Sequence, residues 1–128
     1  MNSNKQDAWY HRGNALCGLG KLNKALAAYQ KQIEIVPNHK EVWNNIGITL
    51  LFLGKLEDAV AAFKKQIEIV PSHEQAWYSM GIALSKQGKL EEAVTAYQKH
   101  LEINPGHRAA VFALCLALSD LDRVGEAQ

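Results

Sequence analysis

Trp9, Trp43 and Trp77 stand 34 residues apart, and the residues around each recur in the same register. Aligning the copies gives Gly13/Gly47/Gly81, Leu16/Leu50/Leu84, Gly20/Gly54/Gly88, Ala25/Ala59/Ala93, Tyr29/Phe63/Tyr97 and Pro37/Pro71/Pro105. A fixed period of about 20–50 residues marks a stacked array, because one such unit cannot bury its apolar face alone. The copies occupy 6–39, 40–73 and 74–107, with a partial fourth at 108–128, and all of 1–128 is expected to form one domain.

Within a copy the pattern predicts two helices, A and B. Helix A is expected over 7–19, 40–53, 74–87 and 108–121, and helix B over 23–36, 57–70 and 91–104. Gly20, Gly54 and Gly88 fall where a helix end adopts a left-handed conformation. Pro37, Pro71 and Pro105 stop helix B, lacking an amide hydrogen and disfavouring helical geometry in the residue before them. Asn38 with Glu41, and Ser72 with Gln75, have capping-box spacing at the start of the next helix A. Small residues at 13, 47, 81, 25, 59 and 93 let the helices approach, and the aromatic residues fill the wider spaces. Truncating one of them, Trp43→Ala, is expected to cost roughly 3–5 kcal/mol.

Period and signature residues together resemble the tetratricopeptide repeat (TPR), with its Trp, Leu-Gly, Tyr, Ala, aromatic and Pro positions. The resemblance runs from about Gln6 to the C-terminus. It implies an all-α, right-handed α-solenoid of stacked antiparallel helix pairs, three full repeats plus a partial fourth. One departure recurs late in helix B, where the family has a small Ala and this chain has Gln32, Gln66 and His100. A buried polar side chain without a partner costs about 1–3 kcal/mol, so these three must reach solvent or a hydrogen-bond partner.

The fourth copy starts and does not finish. Val111, Cys115, Leu118, Val124 and Ala127 take the places of Trp, Gly, Leu, Leu and Ala, and helix B is expected to begin near position 124. Helix 108–121 is apolar around most of its circumference. The expectation is an array cut from a longer protein or an edge completed by a second copy of the chain.

Charge excludes several function classes. Fourteen Lys and Arg against 13 Asp and Glu leave a nearly neutral chain without like-charge runs, so neither nucleic acid nor a membrane surface is an expected partner. The polar N-terminus lacks the apolar stretch of a secretory signal, and a soluble, cytoplasmic protein is expected. Cys17 and Cys115 lie three repeats apart, about 25 Å or more, and are expected as reduced structural residues.

Catalytic and metal chemistry find little support in the pattern. His39, His73 and His107 also repeat at 34, so they sit in neighbouring copies about two helix diameters apart and cannot share a metal. They are expected as loop residues, with His11 paired to Asp7 and His100 a packing variant. Cys17 and His11 point about 240° apart on one helix, and the Leu-Gly-Lys-Leu turns join two helices without a strand. No cofactor, metal site or catalytic residue is therefore assigned. Lys31, Lys65 and Lys99 each precede Glu34, Glu68 and Glu102 by three residues and are expected as local surface ion pairs.

The family generally uses the concave surface lined by its A helices to hold a segment of another protein. Carried onto this chain, the resemblance implies a partner-binding groove of Tyr10, His11, Asn14, Asn44, Asn45, Ile48, Tyr78, Ser79, Ile82 and Phe112. Family members that grip the acidic tails of heat-shock chaperones use two Asn and three cations. Asn14 and Asn45 match the amides, whereas Tyr10, Gln75 and Ser79 replace the cations, so such tails are not expected as ligands. A non-enzymatic protein-interaction module follows. The alternatives are a scaffold assembling through the apolar C-terminal edge and the regulatory arm of a larger enzyme.

Overall fold

The computed structural model describes residues 6–127, which form seven helices. They are α1 (Ala8–Gly18), α2 (Leu22–Ile35), α3 (Val42–Phe52), α4 (Leu56–Ile69), α5 (Glu74–Lys86), α6 (Leu90–Ile103) and α7 (Arg108–Ala127). Successive helices pack antiparallel, and α1, α3, α5 and α7 also touch one another in turn to form one layer of a right-handed solenoid. No helix among the described residues is long and apolar enough to cross a membrane.

Each A–B turn is made by glycine. Gly20, Gly54 and Gly88 have φ of 77°, 78° and 81°, where a side chain would be strained. Around Gly20, Lys21 N–H donates to Leu16 O at 2.9 Å and Gly20 N–H to Cys17 O at 2.9 Å, and the other two turns repeat this pair of bonds. The fourth copy shows what the glycine does. Position 122, the equivalent site, is Asp, and α7 continues unbroken to Ala127 where a turn and a second helix were expected.

Two aromatic positions divide the packing. Tyr29, Phe63 and Tyr97 are buried against the A helix of their own repeat, so closely that a Cβ at Gly13, Gly47 or Gly81 would lie under 3.0 Å from a ring carbon. The tryptophans are only partly buried and work between repeats. Trp43 Nε1 donates to Pro37 O at 3.1 Å and Trp77 Nε1 to Pro71 O at 2.9 Å, fastening each A helix to the preceding loop. The core separates accordingly into a cluster around Ala25, Tyr29, Val42 and Ile46 and a larger one from Ala59 to Ala117.

The polar departures at 32, 66 and 100 all find partners in burial. Gln66 accepts from Asn44 N–H at 2.9 Å through Oε1 and donates to Lys40 O through Nε2. It thereby stands between two backbone groups that a helix would otherwise join to each other. Gln32 does the same with Tyr10 N–H (2.9 Å) and Gln6 O (2.6 Å). Of the equivalent backbone pair His100 takes only the Glu74 carbonyl, through Nδ1 at 2.7 Å, and α5 starts two residues earlier in the repeat frame than α1 or α3.

Helix capping falls to histidine in place of the expected Asn38 and Ser72. His39 Nδ1 accepts from Glu41 and Val42 N–H (3.1 and 3.2 Å), and His73 Nδ1 from Ala76 N–H (3.2 Å). A ring nitrogen that accepts leaves the proton on Nε2 of a neutral imidazole, and each Nε2 meets a carboxylate near the start of the same repeat. These contacts are His39 to Asp7 at 3.3 Å and His73 to Glu41 at 3.2 Å. The Asp7 carboxylate is thus bound to His39 and not to the His11 ring. The three Lys–Glu pairs of the B helices form as expected, at 3.7–4.0 Å on exposed surface. Both cysteines are free thiols, but Cys115 is exposed, correcting its assignment as a structural residue.

Candidate functional site

The face shared by the A helices has a polar end and an apolar end. At the polar end, α1 and α3 bring Asn14 and Asn45 together, Asn45 Nδ2 donating to Asn14 Oδ1 at 2.8 Å. The Tyr29 hydroxyl donates to the same oxygen at 2.7 Å from helix α2. Cys17 Sγ lies 3.5 Å from that hydroxyl and 3.3 Å from Thr49 Oγ1, which itself donates to Asn45 O at 2.8 Å. These five residues and Ile48 line a cavity of about 170 Å³. Burial, and secondarily contact with Cys17, pushes the Tyr29 phenol well above its ordinary pKa, so it stays a neutral donor. Burial likewise raises Tyr97, opposed by the Ser85 hydroxyl at 3.2 Å.

Tyr10 and Tyr78 pack against histidine rings, tilted on His39 and His100 and edge-on to His107. The Tyr10 ring centroid is 4.7 Å from that of His39, and Tyr78 sits 4.9 Å from His107 and 5.3 Å from His100. Under Tyr78, His100 Nε2 and His107 Nδ1 are 2.8 Å apart. A carbonyl only accepts, so His100 carries its proton on Nδ1, and in the neutral pair His107 donates. These two rings, Tyr78, Glu74, Gln75 and Asn104 surround an open cleft of about 460 Å³. Among the described residues no three His, Cys, Asp or Glu side chains are placed to hold a metal ion.

The apolar end is built by one position of successive A helices. Asn14, Ile48, Ile82 and Leu116 are equivalent, so three apolar steps follow one amide. Ile48 and Ile82 are half-buried on the core, Leu116 is 51% exposed, and Phe112 beside it is 66% exposed. Phe52, at the end of α3, is 77% exposed.

Of the residues assigned to the groove from sequence, Asn14, Asn45 and Ile48 come together in one cavity, and Ile82 and Phe112 lie along the apolar end. His11 is exposed next to Tyr10. Asn44 and Ser79 are buried, at 1% and 7% exposure. Asn44 Nδ2 donates to Gln75 Oε1 at 3.0 Å, tying α3 to α5, and is not free for a ligand. Tyr29 and Thr49 escaped the sequence reading. The signal for Tyr29 was the alternation Tyr, Phe, Tyr at 29, 63 and 97: a hydroxyl present in two copies is superfluous to packing.

Profiles of the tetratricopeptide repeat match residues 6–72 and 74–107. No curated protein matches the sequence. Among solved structures, the first TPR of Spaghetti (RPAP3) bound to the HSP90 peptide SRMEEVD aligns with a TM-score of 0.90 at 25% identity, over 94% of this chain and 95% of that one. The second TPR domain of human RPAP3, in complex with the HSP70 peptide SGPTIEEVD, gives 0.84 at 26% identity over 89% and 96%. MamA gives 0.89 at 21% identity over 94% and 70%, a likeness of fold alone.

Proposed function

This chain belongs to the tetratricopeptide repeat family, and from that premise we propose that it is a non-enzymatic interaction module holding a peptide or helical segment of a partner protein against its A helices. The observation that carries this reading is the apolar ladder Ile48–Ile82–Leu116, half-buried at its first two steps and exposed at Leu116, with the exposed Phe112 at its side. Its steps lie on adjacent helices about 8–10 Å apart. An extended polyproline-type segment returns to the same face about every 9 Å, and a helix does so about every 10.5 Å per heptad. Either would place apolar side chains on successive steps while the Asn14–Asn45 end meets polar groups.

The two RPAP3 domains bind peptides ending in Glu-Glu-Val-Asp. For this chain the surroundings argue against such a ligand. Tyr10 is packed against His39, Gln75 accepts from Asn44, and Ser79 is buried, so none offers a counter-charge where the family's clamp has its cations. A terminal carboxylate desolvated there would forgo charge-assisted bonds worth about 1.5–3 kcal/mol each. SRMEEVD is accordingly expected to bind with Kd weaker than about 1 mM.

The test is selection of peptides from a random display library on the whole chain, followed by fluorescence anisotropy. Selected ligands are expected to carry spaced apolar residues and to weaken at least about tenfold, roughly 1.4 kcal/mol, on the Asn45→Ala, Phe112→Ala double variant. A ligand bound equally well by wild type and variant would move the site off the A helices.

A further inference from the structure

On the outer face of repeat 1, Trp9 and Leu16 line a cleft of about 410 Å³ whose charged lining is Arg12, Lys21, Lys24 and Lys31. Among the described residues no carboxylate lines it, although Lys31 keeps a 4.0 Å pair with Glu34. Arg12 covers the Trp9 ring at 5.5 Å. Two of these cations are departures from the repeat: Arg12 stands where Ile46 and Met80 stand, and Lys24 where Asp58 and Glu92 stand.

The internal junction between repeats 1 and 2 shows what this surface accommodates. There Trp43 and Leu50, the equivalents of Trp9 and Leu16, share a cleft with Leu26, Gln30 and Ile33 of the preceding helix α2. Those three residues have i, i+4, i+7 spacing, one stripe of a helix. On α7, Val111, Cys115 and Leu118 repeat the spacing. Val111 and Leu118 are each 44% exposed, Val124 further along is 49% exposed, and Cys115 is exposed.

Charge distinguishes the two ends as well. Residues 6–39 carry four Lys and Arg against two Asp and Glu, whereas residues 108–128 carry two against three. On α7, Arg123 pairs with Asp120 at 3.6 Å, and Asp122 remains on the exposed surface next to the stripe.

We propose that copies of this chain associate head to tail, α7 of one lying in the repeat 1 cleft of the next, as α2 lies over α3 inside the array. The stripe meets Trp9 and Leu16, and the acids at the far end of α7 meet the lysines and Arg12. Each copy uses two different surfaces, so the contact is heterologous and builds an open chain unless the rotation closes a ring.

Sedimentation velocity of the whole chain under reducing conditions tests this. The wild-type weight-average mass is expected to rise with concentration past twice 14.2 kDa and to fall with added salt. Arg12→Glu with Lys24→Glu, and separately Leu118→Asp, change exposed side chains; each is expected to keep its far-UV circular dichroism and remain monomeric. Mixed, the two variants retain one intact α7 and one intact cleft and are expected to form a 1:1 pair that grows no further. A wild type monomeric at every concentration overturns the proposal, as does a mixture that stays monomeric. Self-association of the Arg12→Glu, Lys24→Glu variant equal to wild type also overturns it, placing the contact between two α7 edges.

Discussion

Repeats 2 and 3 share their signature Trp, Gly, Leu, Ala, aromatic and Pro positions at the same spacing, yet they begin helix A by different means. In repeat 2 the Gln66 amide occupies Asn44 N–H and Lys40 O together, and α3 begins at Val42. In repeat 3 His100 offers one donor to Glu74 O, the backbone keeps its own bonds, and α5 begins at Glu74. The loop histidines follow suit. His73 uses Nδ1 as an acceptor to cap α5, whereas His107 turns Nδ1 towards His100. Packing thus fixes the repeat, and the buried polar residue sets where each A helix starts and which proton its loop histidine carries.

The largest effect is expected from Gln66→Glu. A buried carboxylate would still accept from Asn44 N–H but would face Lys40 O without a proton to donate. Roughly 3–5 kcal/mol of destabilisation is expected at neutral pH, read from urea denaturation. A loss under about 1 kcal/mol would mean that the amide is not the bridge described.

Next in size is Gly47→Ala, which drives a methyl group into the Phe63 ring and is expected to cost about 1–3 kcal/mol in thermal or urea melts. Position 115 is the same site in the fourth copy, where no second helix is packed among the described residues, and the native residue is already Cys. Cys115→Ala is therefore expected to stay within about 0.5 kcal/mol. Equal costs at the two positions would deny that the aromatic ring imposes the glycine.

The smallest effect in energy is the most informative in structure. His100→Gln should convert repeat 3 to the repeat 2 arrangement, with stability changed by about 1 kcal/mol or less. Backbone chemical shifts are expected to lose helical character at Glu74 and Gln75 and to report a new partner for the Tyr78 amide. Unchanged shifts there would show that the start of α5 is set elsewhere.

The period alone was enough for the helix pairs, their order and the turn glycines, because each of those depends on residues close in the chain or repeated at fixed distance. The glycines at 20, 54 and 88 announce positive φ, and Lys31 with Glu34 announces a pair one helical turn apart. The candidate site was legible only in part. Asn14, Asn45 and Ile48 could be placed by their repeat positions, but Tyr29 could not, since its hydroxyl reaches Asn14 from another helix. Asn44, which its position assigns to the groove, is buried and bonded to Gln75, a contact between helices that the spacing does not announce.

The same division holds for the end of the array. That position 122 lacks glycine is written in the chain, and it follows that no left-handed turn interrupts α7. Burial of Gln32, Gln66 and His100 was not written there: a long polar side chain satisfies its hydrogen bonds in water as readily as in protein. Only the tertiary structure, by bringing each one beside the first turn of an A helix, decided that it would bond the backbone.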